Sequence, residues 1–197
     1  MNVALADAVN LGWKLAATVY GHAPDGLLET YHQERHEAGA RVLRTTRTQS
    51  LLGRGSPGLD PVREFLGELT ELPSVGKNLA ELVTGVNTRY APRIPGDHPW
   101  LGKLAPNLTL IEDGKRTTVA ELLTPARPLF LTPGTRALPA GIGEHVETHH
   151  AHCPDHPDLE GLLIRPDGHT AWISTTTAPQ PDGTLATALT TWFTPRT

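Results

Sequence analysis

The chain has 197 residues and a formal net charge of −4, with acidic and basic residues interspersed. That balance excludes the electrostatic footprint of a nucleic-acid-binding surface, and no apolar stretch is long enough for a membrane span. A single cysteine, Cys153, excludes an internal disulfide framework and fits a reducing, cytoplasmic setting.

The first 21 residues, MNVALADAVNLGWKLAATVYG, read as one strongly apolar helix stopped by Gly21. Ala4, Ala8, Leu11, Leu15 and Val19 form one stripe, and Leu5, Val9, Trp13, Ala16 and Tyr20 form another. Apolar residues on so many sides predict a helix buried on nearly all sides. The segment lacks a basic start and carries Asp7, Asn10 and Lys14, so it is not a leader peptide. Full burial of Leu5, Leu11, Trp13, Leu15 and Val19 would gain roughly 1.5–3 kcal/mol each. The helix is therefore expected to be covered by an upstream polypeptide, a dimer mate or rearranged helices.

Pro24-Asp25-Gly26 turns the chain, and Asp25 is the expected cap of a second helix running to about Leu52. Gly53–Gly58 breaks it. A third helix is predicted to start with Asp60 as cap and Pro61 in the first turn, and a fourth with Ser74 as cap, ending near Gly85. Most of the 18 prolines fall after residue 91, and a Pro/Gly-rich connector at 91–107 is the predicted domain boundary. Beyond it, Leu108–Ile111 reads as a strand, Asp113-Gly114 as a hairpin turn and Thr118-Val-Ala-Glu121 as a capping box. Pro128–Thr132 and His145–Ala151 are further strands. LLIRPDGHTAWI is a hairpin turning at Asp167-Gly168, and Leu185, Leu189, Trp192 and Phe193 stripe a closing helix. This succession predicts a small α/β unit at 108–197 behind a helical segment at 1–90.

Several motifs invite chemistry. Gly53-Arg-Gly-Ser-Pro-Gly58 matches the dinucleotide fingerprint G-x-G-x-x-G, but a helix precedes it where a strand is required, so it reads as an inter-helical loop. His149-His150-Ala-His152-Cys153-Pro-Asp-His156 is rich in metal-ligand types, and a strand would set His150 and His152 on one face. The spacing matches no closed zinc pattern. His150, His152, Cys153 and His156 thus remain weak metal candidates, and a His-rich strand edge and loop is the favoured reading. Cys153 has no C-x-x-C partner for dithiol chemistry, and no G-x-S-x-G elbow anchors a hydrolase. Glu34-Arg35 reads as a solvated pair on the second helix in preference to a buried ion pair.

Met1-Asn2 followed by Asp7-Ala-Val-Asn-Leu-Gly-Trp-Lys-Leu-Ala16 resembles the C-terminal FAD-binding signature of the flavin-dependent aromatic hydroxylases. Leu27-Leu-Glu-Thr-Tyr31 with Glu34-Arg35-His36, then LTLIEDGKRTTVAELL and LLIRPDGHTAW, resemble later blocks of the polyketide-tailoring members. The resemblance implies an N-terminal helical segment from a split FAD-binding domain, followed by a thioredoxin-like α/β domain. It also implies that backbone N–H groups near Met1 and Asn2 face the flavin ring, where a helix N-terminus favours negative charge. The intact relative would use FAD and NAD(P)H to hydroxylate an aromatic small molecule. The family's Rossmann glycine unit and substrate domain have no counterpart among these residues. Two functions follow: the C-terminal part of such a monooxygenase, not catalytic alone, or a non-catalytic interaction or dimerisation module.

Overall fold

Alternation of side chains along three strands decides how the C-terminal half is layered. In the computed structural model, which describes residues 2–134, 138, 145–181 and 183–193, β3 (Leu129–Leu131), β4 (Glu147–His149), β5 (Leu159–Ile164) and β6 (Thr170–Thr175) form one sheet in the order β4-β3-β5-β6. β3 runs parallel to β4 and antiparallel to β5, and β5 runs antiparallel to β6. Successive side chains point to opposite faces. Phe130, Leu163 and Trp172 therefore enter one core, while Leu129, Leu131, Leu162, Ile164 and Ile173 enter another.

The second core is closed by β1 (Thr109–Glu112), β2 (Lys115–Thr118) and the short α5 (Val119–Leu122), which contribute Leu110 and Val119. Asp113 and Gly114 take positive φ at the hairpin turn, as the Asp-Gly signal predicts. The capping box is present: the Thr118 side chain accepts from the Glu121 N–H while the Glu121 carboxylate accepts from the Thr118 N–H. The first core is closed by α6 (Thr184–Trp192), through Leu189 and Trp192, and by the helical segment, through Trp13 and Leu27.

The helical segment comprises α1 (Asn2–Val19), α2 (Glu29–Gly53), α3 (Asp60–Thr70) and α4 (Pro73–Thr84). Three predicted starts are corrected. α2 begins after a turn at Leu28, with no side-chain cap from Asp25. Leu59 precedes α3, so Asp60 and Pro61 are already helical, and Pro73 places Ser74 inside α4. In each case a turn or proline sets the helical φ without a capping oxygen. Gly21 and Gly85 end their helices with positive φ, as expected. No described helix is long and apolar enough to cross a membrane.

The predicted burial of α1 is also corrected. Of the five large apolar residues expected inside, only Trp13 is buried; Leu5 is 65% exposed and Val19 79%. The residues that α1 buries are Asn10, Trp13 and Lys14. The 91–107 connector, for its part, packs firmly, with Ile94 and Leu101 in the first core and Tyr90 buried just before it.

Gly102 shows how tightly the connector is held. Its φ is +78°, and an added Cβ would lie 2.2 Å from the Tyr90 carbonyl oxygen. Gly21, at +73°, faces open space. Both Gly21→Ala and Gly102→Ala are expected to lose about 1 kcal/mol or more to the left-handed backbone. Gly102→Ala alone should lose at least about 2 kcal/mol more through the clash, since overpacking costs typically 1–3 kcal/mol. Urea denaturation of both variants measures the difference.

Candidate functional site

The polar residues of α1 recur at Asp7, Asn10, Lys14 and Thr18, spacings of three and four that place them on one helical face. That face is the one turned inward. On α2, Glu34 lies opposite, and from the β5–β6 turn come Arg165 and Asp167. Asn10, Lys14, Glu34, Arg165 and Asp167 are all buried.

Glu34 is the hub. Its carboxylate accepts from Arg165 Nη1 at 2.6 Å and Nη2 at 3.0 Å, from Lys14 Nζ at 2.8 Å and from Asn10 Nδ2 at 2.8 Å. Asp167 accepts from Arg165 Nε at 3.0 Å, from Arg165 Nη2 and from Asn10 Nδ2 at 3.0 Å. Lys14 donates a second bond to Asn10 Oδ1 at 2.7 Å. Two buried cations thus meet two buried anions, and the cluster is neutral. The Arg165 guanidinium also lies over aromatic faces, 4.3 Å from the Trp192 ring centroid and 5.3 Å from that of Trp13.

The expectation that Glu34-Arg35 is solvated is overturned: both side chains are buried, and they pair with different partners. Arg35 donates to Asp7 Oδ1 at 2.6 Å, to the Tyr90 hydroxyl at 2.9 Å and to the Val3 carbonyl at 3.4 Å. Tyr90 in turn stacks on His169 with centroids 4.3 Å apart. Adjacent positions on a helix point about 100° apart, so one residue serves the charge cluster and the next serves the N-terminal turns of α1.

Burial acts to push Glu34 and Asp167 up, but Arg165, with Lys14 for Glu34 and His169 for Asp167, outweighs it and holds both below the usual carboxylate range. Arg165 is held above its ordinary value because Asp167 and Glu34 overcome its desolvation. Lys14 goes the other way: burial brings it down to about 8 despite the pull of Glu34.

Beside this cluster lies a cleft of about 380 Å³. Asn2, Leu5, Val9, Val42, Val83 and Tyr90 are among its walls, and Arg35, Asp167 and His169 reach it from below. Asn2 sits in the first turn of α1, where no acidic side chain occupies the helix N-terminus; Met1 lies outside the described residues. The first-turn N–H groups of a helix have no intrahelical partner, which suits them to a negatively polarised group. The phosphates find no equivalent cradle among the described residues: Gly53–Gly58 joins α2 to the 3-10 turn Pro57–Leu59, with no strand before it.

The His-rich stretch does not converge. His149 contacts Glu112 and Glu147, and the His150 ring nitrogen meets the Gly134 carbonyl at 2.8 Å. His152 pairs its backbone with Ile111, Cys153 is buried in the second core, and His156 packs edge-on against Trp100. Among the described residues no three His, Cys, Asp or Glu side chains are placed to hold a metal.

Asn10, Lys14, Arg165 and Asp167 all lie in blocks that carry the family resemblance, but reading by residue type gives them no common role. Their signal is the polar face cut through an apolar helix, together with an arginine and an aspartate in one tight turn.

The carboxylates, with depressed folded-state pKa values, contribute stability that is present above their unfolded values of about 4 and lost as pH falls through the folded ones. Lys14 has the opposite sign: its cost is relieved as pH rises from about 8 towards the unfolded value of about 10.4. Asp167→Asn, which strips Arg165 of one anion, is expected to lose about 3–5 kcal/mol, the scale of a broken buried pair. Lys14→Met, which keeps the Arg165–Glu34 bonds but removes a donor from Glu34 and from Asn10 Oδ1, is expected to lose about 1–3 kcal/mol at neutral pH and to flatten the alkaline rise. Urea unfolding from pH 3 to 10 checks both.

Residues 98–195 match the family model described as aromatic-ring hydroxylase, C-terminal, and residues 1–46 match that of an FAD binding domain. Rifampicin monooxygenase of Streptomyces venezuelae is 37% identical over 98% of this chain and 38% of its own length. Anhydrotetracycline monooxygenase of Streptomyces rimosus is 39% identical over 99% of this chain and 40% of its own. The solved structure of BexE superposes with a TM-score of 0.89 at 40% identity, covering 100% of this chain and 41% of that one. The chain spans about two-fifths of the length of these relatives. It belongs to the FAD-dependent aromatic-ring hydroxylases, and corresponds to their C-terminal portion.

Proposed function

We propose that the chain supplies one wall of the flavin site and the C-terminal domain of an FAD- and NAD(P)H-dependent monooxygenase acting on polyketide-type aromatic molecules. The observation that carries this reading is the first turn of α1, which holds no acidic side chain and brings Asn2 to the wall of the cleft beside the buried cluster. Asn2 and the first-turn N–H groups would hold the flavin ring edge, and FAD, when bound, supplies the oxygen-activating chemistry. The residues of this chain bind and orient. Arg35 fixes the first turns of α1 through Asp7 and the Val3 carbonyl, and Glu34 fixes the middle of α1 through Lys14 and Asn10.

The sheet order β4-β3-β5-β6, with one parallel and two antiparallel pairings, supports a thioredoxin-like domain at 108–197. The lone buried Cys153 fits a domain without dithiol chemistry in a cytoplasmic enzyme. Exposed Leu5, Leu15 and Val19 support coverage of α1 by further polypeptide, either the flavin-binding remainder of such an enzyme or a second copy.

By itself the chain is expected to purify without flavin and to leave NAD(P)H unconsumed when FAD is added. Co-expressed with the N-terminal flavin-binding portion of a relative, it should form a complex carrying about one FAD per pair, judged by absorbance. A stable complex without flavin would overturn the proposal. A flavin-free self-associated dimer that ignores the added portion would favour the interaction-module reading instead.

A further inference from the structure

We propose that His149 is a proton-operated clamp which, in its doubly protonated form, fastens the β1–β2 hairpin to the edge strand β4. Among the described residues β4 has one neighbour in the four-stranded sheet, β3, on one of its edges. β1 approaches this strand through an antiparallel bridge between Ile111 and His152, whose two backbone hydrogen bonds measure 3.0 and 3.1 Å. One residue beyond, Glu112 uses both carboxylate oxygens. Oε1 accepts from the His150 backbone N–H at 2.9 Å, and Oε2 lies 2.7 Å from His149 Nδ1. On its other side, His149 Nε2 lies 3.2 Å from Glu147 Oε1.

The imidazole is therefore held between two carboxylates, one from each of the elements it joins. A neutral imidazole has a single N–H, so one of its two contacts would set a ring lone pair against an anionic oxygen. Only the imidazolium donates to both. The other ionisable groups at this junction are His150, whose ring bonds the Gly134 carbonyl, and Lys115, which faces Glu112 in the β1–β2 register. From β3, the neighbours of His149 are the uncharged Leu131 and Thr132.

The electrostatics follow the geometry. Burial acts to lower His149, but the hydrogen bonds and charges of Glu112 and Glu147 raise it overall, and His149 holds Glu112 below the usual carboxylate range. A histidine raised on folding contributes stability that is complete below its unfolded pKa of about 6.5 and lost as pH rises through the folded one. Each unit of that rise corresponds to a factor of about ten in the docking equilibrium. What the clamp holds down is the cover of the second core, which Leu110 of β1 and Val119 of α5 share with Cys153.

The test is an NMR titration of the His149 ring protons in the whole chain, with amide hydrogen exchange at His150 and His152 from pH 6 to 9, corrected for intrinsic exchange. His149 is expected to titrate above about 6.5, with protection of both amides falling across the same midpoint. In Glu112→Gln and Glu147→Gln the midpoint should drop, and in Glu112→Gln the protection should lose its pH dependence while the amide oxygen still accepts from His150. A wild-type midpoint at or below about 6.5, or amide protection in the wild type that ignores the protonation of His149, overturns the proposal without reference to any variant.

Discussion

Four buried charges govern how this chain is put together. Glu34 on α2 is bonded at once to Lys14 on α1 and to Arg165, 131 residues further along the chain. Asp167 completes the set from the same turn as Arg165. A buried ionic group left without its partner costs several kcal/mol, so each member requires the other segments in place. The cluster consequently does what a larger apolar interface does elsewhere: it fixes the helical segment against the β5–β6 turn. Trp13 and Trp192 meet over Arg165, so the apolar core and the charge cluster share a boundary.

This arrangement accounts for the odd character of α1. A surface helix ordinarily buries its apolar stripe and leaves its polar side to solvent. α1 buries Asn10 and Lys14 instead, and leaves Leu5, Val9, Leu15 and Val19 exposed. Its polar face is committed to the cluster, and its apolar faces are left exposed among the described residues. The helix N-terminus is held from both sides of α2, with Arg35 gripping the first turns and Glu34 the middle. The proposed flavin wall would benefit from such fixing, because positions set by packed, fully bonded side chains are more exact than positions set by loops.

Much of the architecture is legible in the residues themselves. The Asp113-Gly114 turn, the Thr118–Glu121 capping box, the β5–β6 hairpin and the glycine stops at Gly21 and Gly85 each rest on a local rule, and local rules operate within a few residues. The family is legible in several blocks, of which Met1-Asn2 with Asp7–Ala16 is the most specific. That these blocks meet in one charge cluster is not legible, because its members are distant in sequence and nothing local shows which charges will pair. Glu34-Arg35 has the appearance of solvated helix charge until Lys14 and Arg165 are brought against it. The burial of α1 was misjudged for a related reason: apolar periodicity tells which faces seek cover, and says nothing about whether the covering surface lies in the same polypeptide.

The central claim, that the Glu34–Arg165 pair couples the helical segment to the β5–β6 turn, is tested most directly by a double-mutant cycle. Glu34→Gln, Arg165→Met and the combined variant would be compared by urea denaturation at neutral pH. The account predicts a coupling energy of about 2–3 kcal/mol, with the double variant less damaged than the sum of the singles. Losses that add to within about 0.5 kcal/mol would contradict it.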